Sequence, residues 1–197
     1  MKKAIYGYGG HAREVSNFIN EDLTFFVDDE WSNDIARPIS SFDPNEFEII
    51  IAVGNSKDRF NILSRLPNNT KFFSFIHPTS IILDNVEIGE GTYIGPFCLV
   101  TTNIKLGKHS ILNRGNHIGH DCIIGDFFSA MPGSIVSGNV QIGNYVYLGT
   151  NASVKEKIKI CDDVTIGLNS GVLKDISESG IYVGTPVKKI KNTWKKN

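Results

Sequence analysis

The sequence predicts a small parallel α/β domain over residues 1–75, joined directly to a solenoid of very short strands over residues 76–197. Three observations carry that expectation. Short apolar runs alternate with helix-like stretches through the first part. Two glycine turns close two of those runs. From residue 76 to residue 172, every sixth residue is aliphatic. Strands alternating with helices imply a parallel sheet, and an unbroken short period implies a repeat architecture.

Residues 3–8 read as the first strand, running through Gly7-Tyr8-Gly9-Gly10-His11-Ala12 into a helical stretch that ends near Asn20. Leu23–Val27 reads as the second strand and ends at Asp28-Asp29. Residues 47–53 form an apolar run closed by Gly54-Asn55, and residues 57–66 read as a second helix. Residues 71–76 make a last short strand that leads into the repeats. Parallel sheets bind ligands beyond the carboxyl ends of their strands, where both glycine turns and the Asp pair fall. Gly7-x-Gly9-x-x-Ala12, with acidic residues about twenty positions on, is similar to a dinucleotide fingerprint, so this domain is expected to be Rossmann-like. Some seventy-five residues supply only about half of a dinucleotide site. The expected ligand is therefore one nucleotide portion, its phosphate at a helix N-terminus and its ribose or base near Asp28 or Asp29. The alternative is a pair of glycines that only tighten a strand-to-helix turn.

The repeat runs from Ile76, Ile82 and Ile88 through Ile160 and Ile166 to Val172, with no insertion. Glycine follows the aliphatic residue at 89, 95, 107, 119, 125, 143, 149 and 167. A period of six fits neither an amphipathic helix nor a simple alternating strand. It fits a prism in which the aliphatic side chains fill the interior and glycines ease the corners; three hexads close a coil of about eighteen residues. Cys98 and Cys122 fall on inward positions and are expected in the core.

Composition narrows the function classes. A net charge of −1 and the absence of a basic face argue against nucleic acid as a partner. Five lysines among the last ten residues (Lys188, Lys189, Lys191, Lys195, Lys196) read as a solvated tail. No apolar run is long enough for a membrane span, and glycine arrives too early for a signal-peptide core, so a cytoplasmic protein is expected. Three cysteines, irregularly spaced, suit neither a disulfide framework nor a CxxC metal site.

An α/β domain with GxGGHA fused to hexapeptide repeats resembles the sugar O-/N-acetyltransferase family, which includes sialic acid O-acetyltransferases and N-acetyltransferases of nucleotide-linked 4-amino-4,6-dideoxy sugars. The resemblance spans nearly the whole chain. It is most specific over residues 112–127, Leu-Asn-Arg-Gly-Asn-His-Ile-Gly-His-Asp-Cys-Ile-Ile-Gly-Asp-Phe, and at Gly184-Thr185-Pro186. It implies a left-handed parallel β-helix, a homotrimer, acetyl-CoA as donor, and active sites between subunits. It also implies His120 as general base with Asp121 as its acidic neighbour, and Asn113 in the active site. Gly9, Gly10, His11, Asp28, Asp29 and Gly54 fall where the nucleotide sugar is held. Ser129, Thr150 and Leu168 fall where acetyl-CoA is contacted; the family often has a histidine at the position of Ser129.

Acyl transfer to an amine needs an unprotonated nucleophile beside a polarised thioester, and an imidazole is suited to take the proton near neutral pH. Neighbouring residues on a regular strand point to opposite faces, so a His120–Asp121 pair requires a bent backbone. The spacing of His117 and His120 disfavours a zinc site, and no metal is expected. The leading expectation is an N-acetyltransferase of a nucleotide-linked amino sugar, serving bacterial surface-glycan synthesis. The alternatives are a sialic acid type of sugar O-acetyltransferase and a non-catalytic protein that binds sugar nucleotides.

Overall fold

The computed structural model describes residues 1–192. The first five strands are β1 (Lys2–Tyr6), β2 (Leu23–Val27), β3 (Ala36–Pro38), β4 (Phe47–Ile51) and β5 (Lys71–Phe72), and they form one sheet in the order β3-β2-β1-β4-β5. Each neighbouring pair is parallel. The chain moves outward from β1 in one direction to β2 and in the other to β4. The gap between β1 and β4 is therefore the topological switch point, where a crevice opens beyond the strand ends. Helix α1 (Gly10–Ile19) crosses from β1 to β2 and buries Ala12, Val15 and Ile19, one stripe of its surface. Helix α2 (Ser56–Leu63) crosses from β4 to β5 and buries Ser56, Arg59 and Ile62.

Sequence reasoning overlooks β3, a three-residue strand ending in proline, which is tolerated because it lies at the sheet edge. The strand expected over residues 71–76 is two: Lys71–Phe72 closes the α/β sheet, and Phe75–Ile76 opens the prism. The pattern could not distinguish them because both pieces are apolar and only Phe73-Ser74 separates them.

Beyond residue 75 the chain winds into a parallel β-helix with three faces, containing six, five and eight strands. Register repeats every coil: Leu99 pairs with Ile81 on one side and His117 on the other, and Ile111 pairs with Tyr93 and Ser129. The interior is a continuous column of buried aliphatic side chains, including Ile94, Leu112, Ile118, Ile124, Val136 and Ile166, with Cys98 and Cys122 among them. The first coil is less closed, and Ile76 is 40% exposed rather than interior.

Corners repeat at the same interval. Asn85, Asn103, Asp121 and Asn139 all have φ near +59°, as do residues at matching positions on the other two edges. Asn and Asp tolerate this left-handed backbone. His109, Phe127 and Tyr145 also adopt it, against the usual preference of bulky residues. They stack face to face at 5.2 and 5.4 Å, so the aromatic column offsets the backbone cost. Where coils touch closely only glycine fits: a Cβ on Gly107 would lie 2.4 Å from the carbonyl carbon of Gly125.

The α/β unit packs against the outward side of the eight-stranded face. Tyr93 and Ile111 join a buried cluster with Ile5, Ala12, Val15 and Ile50. Part of the lysine-rich segment is a strand, since Lys188–Lys191 pairs antiparallel with Gly180–Val183. Lys195 and Lys196 lie outside the described residues. Among the described residues, no helix is long and apolar enough to cross a membrane.

Candidate active site

His120 and Asp121 occupy the prism corner between strands His117–Ile118 and Ile123–Ile124. Asp121 takes φ +59°, and this left-handed bend brings two adjacent side chains to the same side. His120 Nδ1 lies 2.7 Å from Asp121 Oδ2. An ionised carboxylate can only accept, so in the neutral ring Nδ1 carries the proton and Nε2 presents its lone pair. Asn103, one coil earlier, donates to Asp121 Oδ1 at 3.2 Å, and Asn85 donates to Asn103 in turn. Hydrogen bonds from His120 and Asn103 hold the Asp121 carboxyl below its ordinary range. The imidazole is well exposed and lies over Gly138, where a Cβ would come within 2.6 Å of Nε2. His117, on the outward face of the preceding strand, forms no cluster with them. No group of three or more His, Cys, Asp or Glu is placed to hold a metal ion among the described residues.

A second feature is a groove of about 870 Å³ between the N-terminus of α2 and the later coils, lined by Gly54, Tyr147, Thr150, Thr165, Leu168 and Ile190 among others. Lys57 and Asp163 form an ion pair at 2.6 Å between two of its lining residues. Thr150 is exposed and Leu168 is 70% exposed, both available to a ligand. Ser129 is placed differently. It is fully buried beneath α2, donates to Gly54 O at 2.8 Å and lies 3.0 Å from the Ser56 hydroxyl.

The third feature is the crevice at the switch point. Gly7 has φ +111° where the chain turns out of β1. A Cβ on Gly9 or Gly10 would meet nothing within 4 Å, so the mouth of α1 is open. No side chain caps α1, whereas Asn55 caps α2 through the N–H groups of Lys57 and Asp58. His11 Nε2 is buried without a hydrogen-bond partner among the described residues, its ring edge-on to Tyr93 at 5.7 Å. Burial holds His11 below the usual imidazole range and favours its neutral form.

The two expected nucleotide acids differ. Asp28 Oδ1 is already taken by Tyr6 (2.7 Å) and Arg65 (2.6 Å), while Asp29 Oδ1 accepts from the Ser40 amide. Partial burial pushes the Asp28 carboxyl up, but bonds from Tyr6 and Arg65 outweigh it and keep it ionised. Asn113 is buried, and its Oδ1 accepts from the Arg114 amide at 2.8 Å. Arg114 pairs with Glu14 and ties this corner to α1.

The structure thus brings Gly9, Gly10 and Gly54 to adjacent strand ends, and Gly54 to the groove with Thr150 and Leu168. Asn113, Thr150 and Leu168 share the corner between the eight- and six-stranded faces. His120 and Asp121 stand on a different corner, between the six- and five-stranded faces. Sequence reading missed Asn103, Tyr6, Arg65 and Arg59. Only Asn103 had a usable signal, since it precedes Asp121 by one coil of eighteen residues.

Comparison with known proteins agrees with this architecture. Residues 2–66 match the PglD N-terminal domain, and residues 73–102 match the bacterial transferase hexapeptide repeat. The GDP-perosamine N-acetyltransferase of Escherichia coli O157:H7 is 27% identical over 172 residues, covering 78% of each chain. The solved structure of WeeI from Acinetobacter baumannii AYE is 28% identical, with a TM-score of 0.87 over 96% of this chain and 100% of that one. A histidine-to-asparagine variant of perosamine N-acetyltransferase from Caulobacter crescentus, solved with CoA and GDP-perosamine, shares the fold at 22% identity, with a TM-score of 0.85 over 96% and 97% of the two chains. The chain is a PglD N-terminal domain joined to a left-handed β-helix of hexapeptide repeats, homologous to GDP-perosamine N-acetyltransferase and related acyltransferases.

Proposed function

We propose that the protein is an acetyl-CoA-dependent N-acetyltransferase acting on a nucleotide-linked 4-amino-4,6-dideoxy sugar, in the cytoplasmic steps of surface-glycan synthesis. The observation that carries this reading is the exposed Asn103–Asp121–His120 relay, which leaves a lone pair on Nε2 at the prism surface. In this reading residues 1–75 hold the nucleotide sugar, through Gly9, Gly10, His11, Asp28, Asp29 and Gly54, with Asn113 beside the reacting sugar. Residues 76–197 carry acetyl transfer. The groove along Thr150 and Leu168 fits an extended donor with an apolar arm, because Leu168 offers apolar surface beside the polar Thr150. Ser129 supports the groove wall through Gly54 rather than by touching the thioester.

His120 Nε2 takes a proton from the sugar amine as its nitrogen bonds to the thioester carbonyl carbon. Asp121 stabilises the imidazolium that results. When the tetrahedral intermediate collapses, the C–S bond breaks and the imidazolium returns the proton to the departing sulfur. The buried thiols of Cys98 and Cys122 are pushed up by burial and are poorly placed as acyl carriers, which supports direct transfer.

The base and the groove sit on different corners of one prism, so a working site takes them from different chains. A homotrimer, with one chain's His120 corner facing the next chain's groove, meets that requirement. The test is turnover of acetyl-CoA by purified protein with a panel of nucleotide-linked 4-amino sugars, followed by product mass. N-acetyl product that disappears with His120→Ala is expected. Acetylation of a free sugar hydroxyl instead would favour an O-acetyltransferase.

A further inference from the structure

Arg59 is 1% exposed and has no carboxylate partner among the described residues. Its five donor contacts all go to backbone carbonyls. Nε donates to His109 O (3.0 Å), Nη1 to Val53 O (2.7 Å) and Gly54 O (3.0 Å), and Nη2 to Phe127 O and Phe128 O (both 2.9 Å). One guanidinium therefore bolts the turn after β4 to two successive coils of the prism. Ser129 adds a second tether, since its hydroxyl also donates to Gly54 O.

This arrangement has a consequence on the other side of the same peptides. In a trans peptide the carbonyl and the following N–H point in opposite directions. Drawing the Val53 and Gly54 carbonyls toward Arg59 turns the Gly54 and Asn55 N–H groups away from it. Neither amide has a hydrogen-bond partner among the described residues. Both residues lie at the carboxyl end of β4, beside the switch point and the open mouth of α1. Successive free amides with a buried cation behind them suit an anion.

We infer that Arg59 is a positioning residue for substrate, holding the Val53–Gly54 turn so that the Gly54 and Asn55 amides receive the diphosphate of the nucleotide-linked sugar. The inference rests on the nucleotide-sugar reading above and adds the residue that orients its phosphate contacts. Lysine cannot replace it. An ammonium has three donors for five carbonyls, and its point charge lacks the planar fork.

The test compares wild type with Arg59→Lys by titration calorimetry against GDP, UDP and dTDP, and separately against CoA, with kinetics alongside. For the nucleotide that wild type binds best, Arg59→Lys should weaken binding at least about tenfold and raise KM for the sugar nucleotide in proportion. Its CoA affinity should stay within about twofold of wild type and kcat within about threefold. Unchanged nucleotide affinity alongside a lower Tm would show a purely structural role and overturn the inference. So would a loss confined to CoA, or a wild type that binds no nucleoside diphosphate. If Arg59→Lys does not fold, Ser129→Ala removes only the second tether; it should weaken nucleotide binding about two- to threefold, and unchanged binding overturns the proposal. Nucleotide binding without any acetyl transfer by wild type would refute the enzymatic reading while the binding comparison still decides the role of Arg59.

Discussion

Replacing Gly138 with alanine perturbs the reactive ring without touching the ring itself. Gly138 has an ordinary backbone conformation, so alanine brings no φ penalty there, and by restricting the unfolded chain it should leave Tm unchanged or slightly higher. The added Cβ, however, would lie 2.6 Å from His120 Nε2 and 2.7 Å from Cε1. Ordinary van der Waals contact begins at 3.4 Å, so the imidazole must retreat by about 0.8 Å. It can do so only by swinging about its own side-chain torsions, which disturbs the 2.7 Å bond to Asp121. Misplacement of a reacting group by about 1 Å can cost on the order of a hundredfold in rate, so kcat should fall roughly 10- to 100-fold. Removing the base outright with His120→Ala should cost roughly 10²- to 10⁴-fold. Steady-state acetyl transfer with both substrates varied is the assay. KM values should barely move, and Gly138→Ala added to His120→Ala should cause no further loss. A Gly138→Ala enzyme with wild-type kcat would refute the placement of His120 in the reaction.

Two further outcomes follow from the same geometry. Asn103→Ala removes one of the two bonds that keep the Asp121 carboxyl low, so that group should shift back toward its ordinary value and kcat at pH 7 should fall, by less than for His120→Ala, because Asn103 acts only through Asp121. Because the folded-state value is depressed, the Asp121 carboxylate stays ionised through the ordinary carboxylate range and its pairing is lost only as pH falls through the lowered value; a pH–rate profile measured for both proteins checks this. His109 is pushed down to about 4, chiefly by burial, with Glu90 opposing and Arg59 adding to the effect. The unfolded chain binds that proton below about pH 6.5 and the folded one does not, so stability should fall by about 1.5 kcal/mol from pH 6.5 to pH 5. His109→Phe should flatten that slope in urea titrations, since Phe127 and Tyr145 already occupy the equivalent positions of the column.

The repeat was readable because a prism interior admits one kind of side chain at one interval, and nothing interrupts that interval between Ile76 and Val172. Corner geometry was less visible. Glycine, Asn and Asp mark left-handed positions, but Phe127 and Tyr145 satisfy the same backbone through stacking with residues a full coil away. The His120–Asp121 pair illustrates the same point: adjacent residues on a strand diverge, and only the bend at Asp121 lets them meet. Arg59 could not have been singled out, because its partners are carbonyls scattered from Val53 to Phe128 and carbonyls leave no trace in side-chain identity. Ser129 is similar. The family resemblance places it where the donor is contacted, whereas here α2 covers that part of the face.

Mixed assemblies test the division of the site between chains most directly. His120→Ala lacks the base, and Thr150→Trp fills the groove, so each alone should be inactive. Co-expressed in equal amounts and purified together, they should recover about a quarter of wild-type activity per site, because a random neighbouring pair supplies one intact base and one open groove about one time in four. If the mixture stays as inactive as its parents, base and groove belong to the same chain and the account is contradicted.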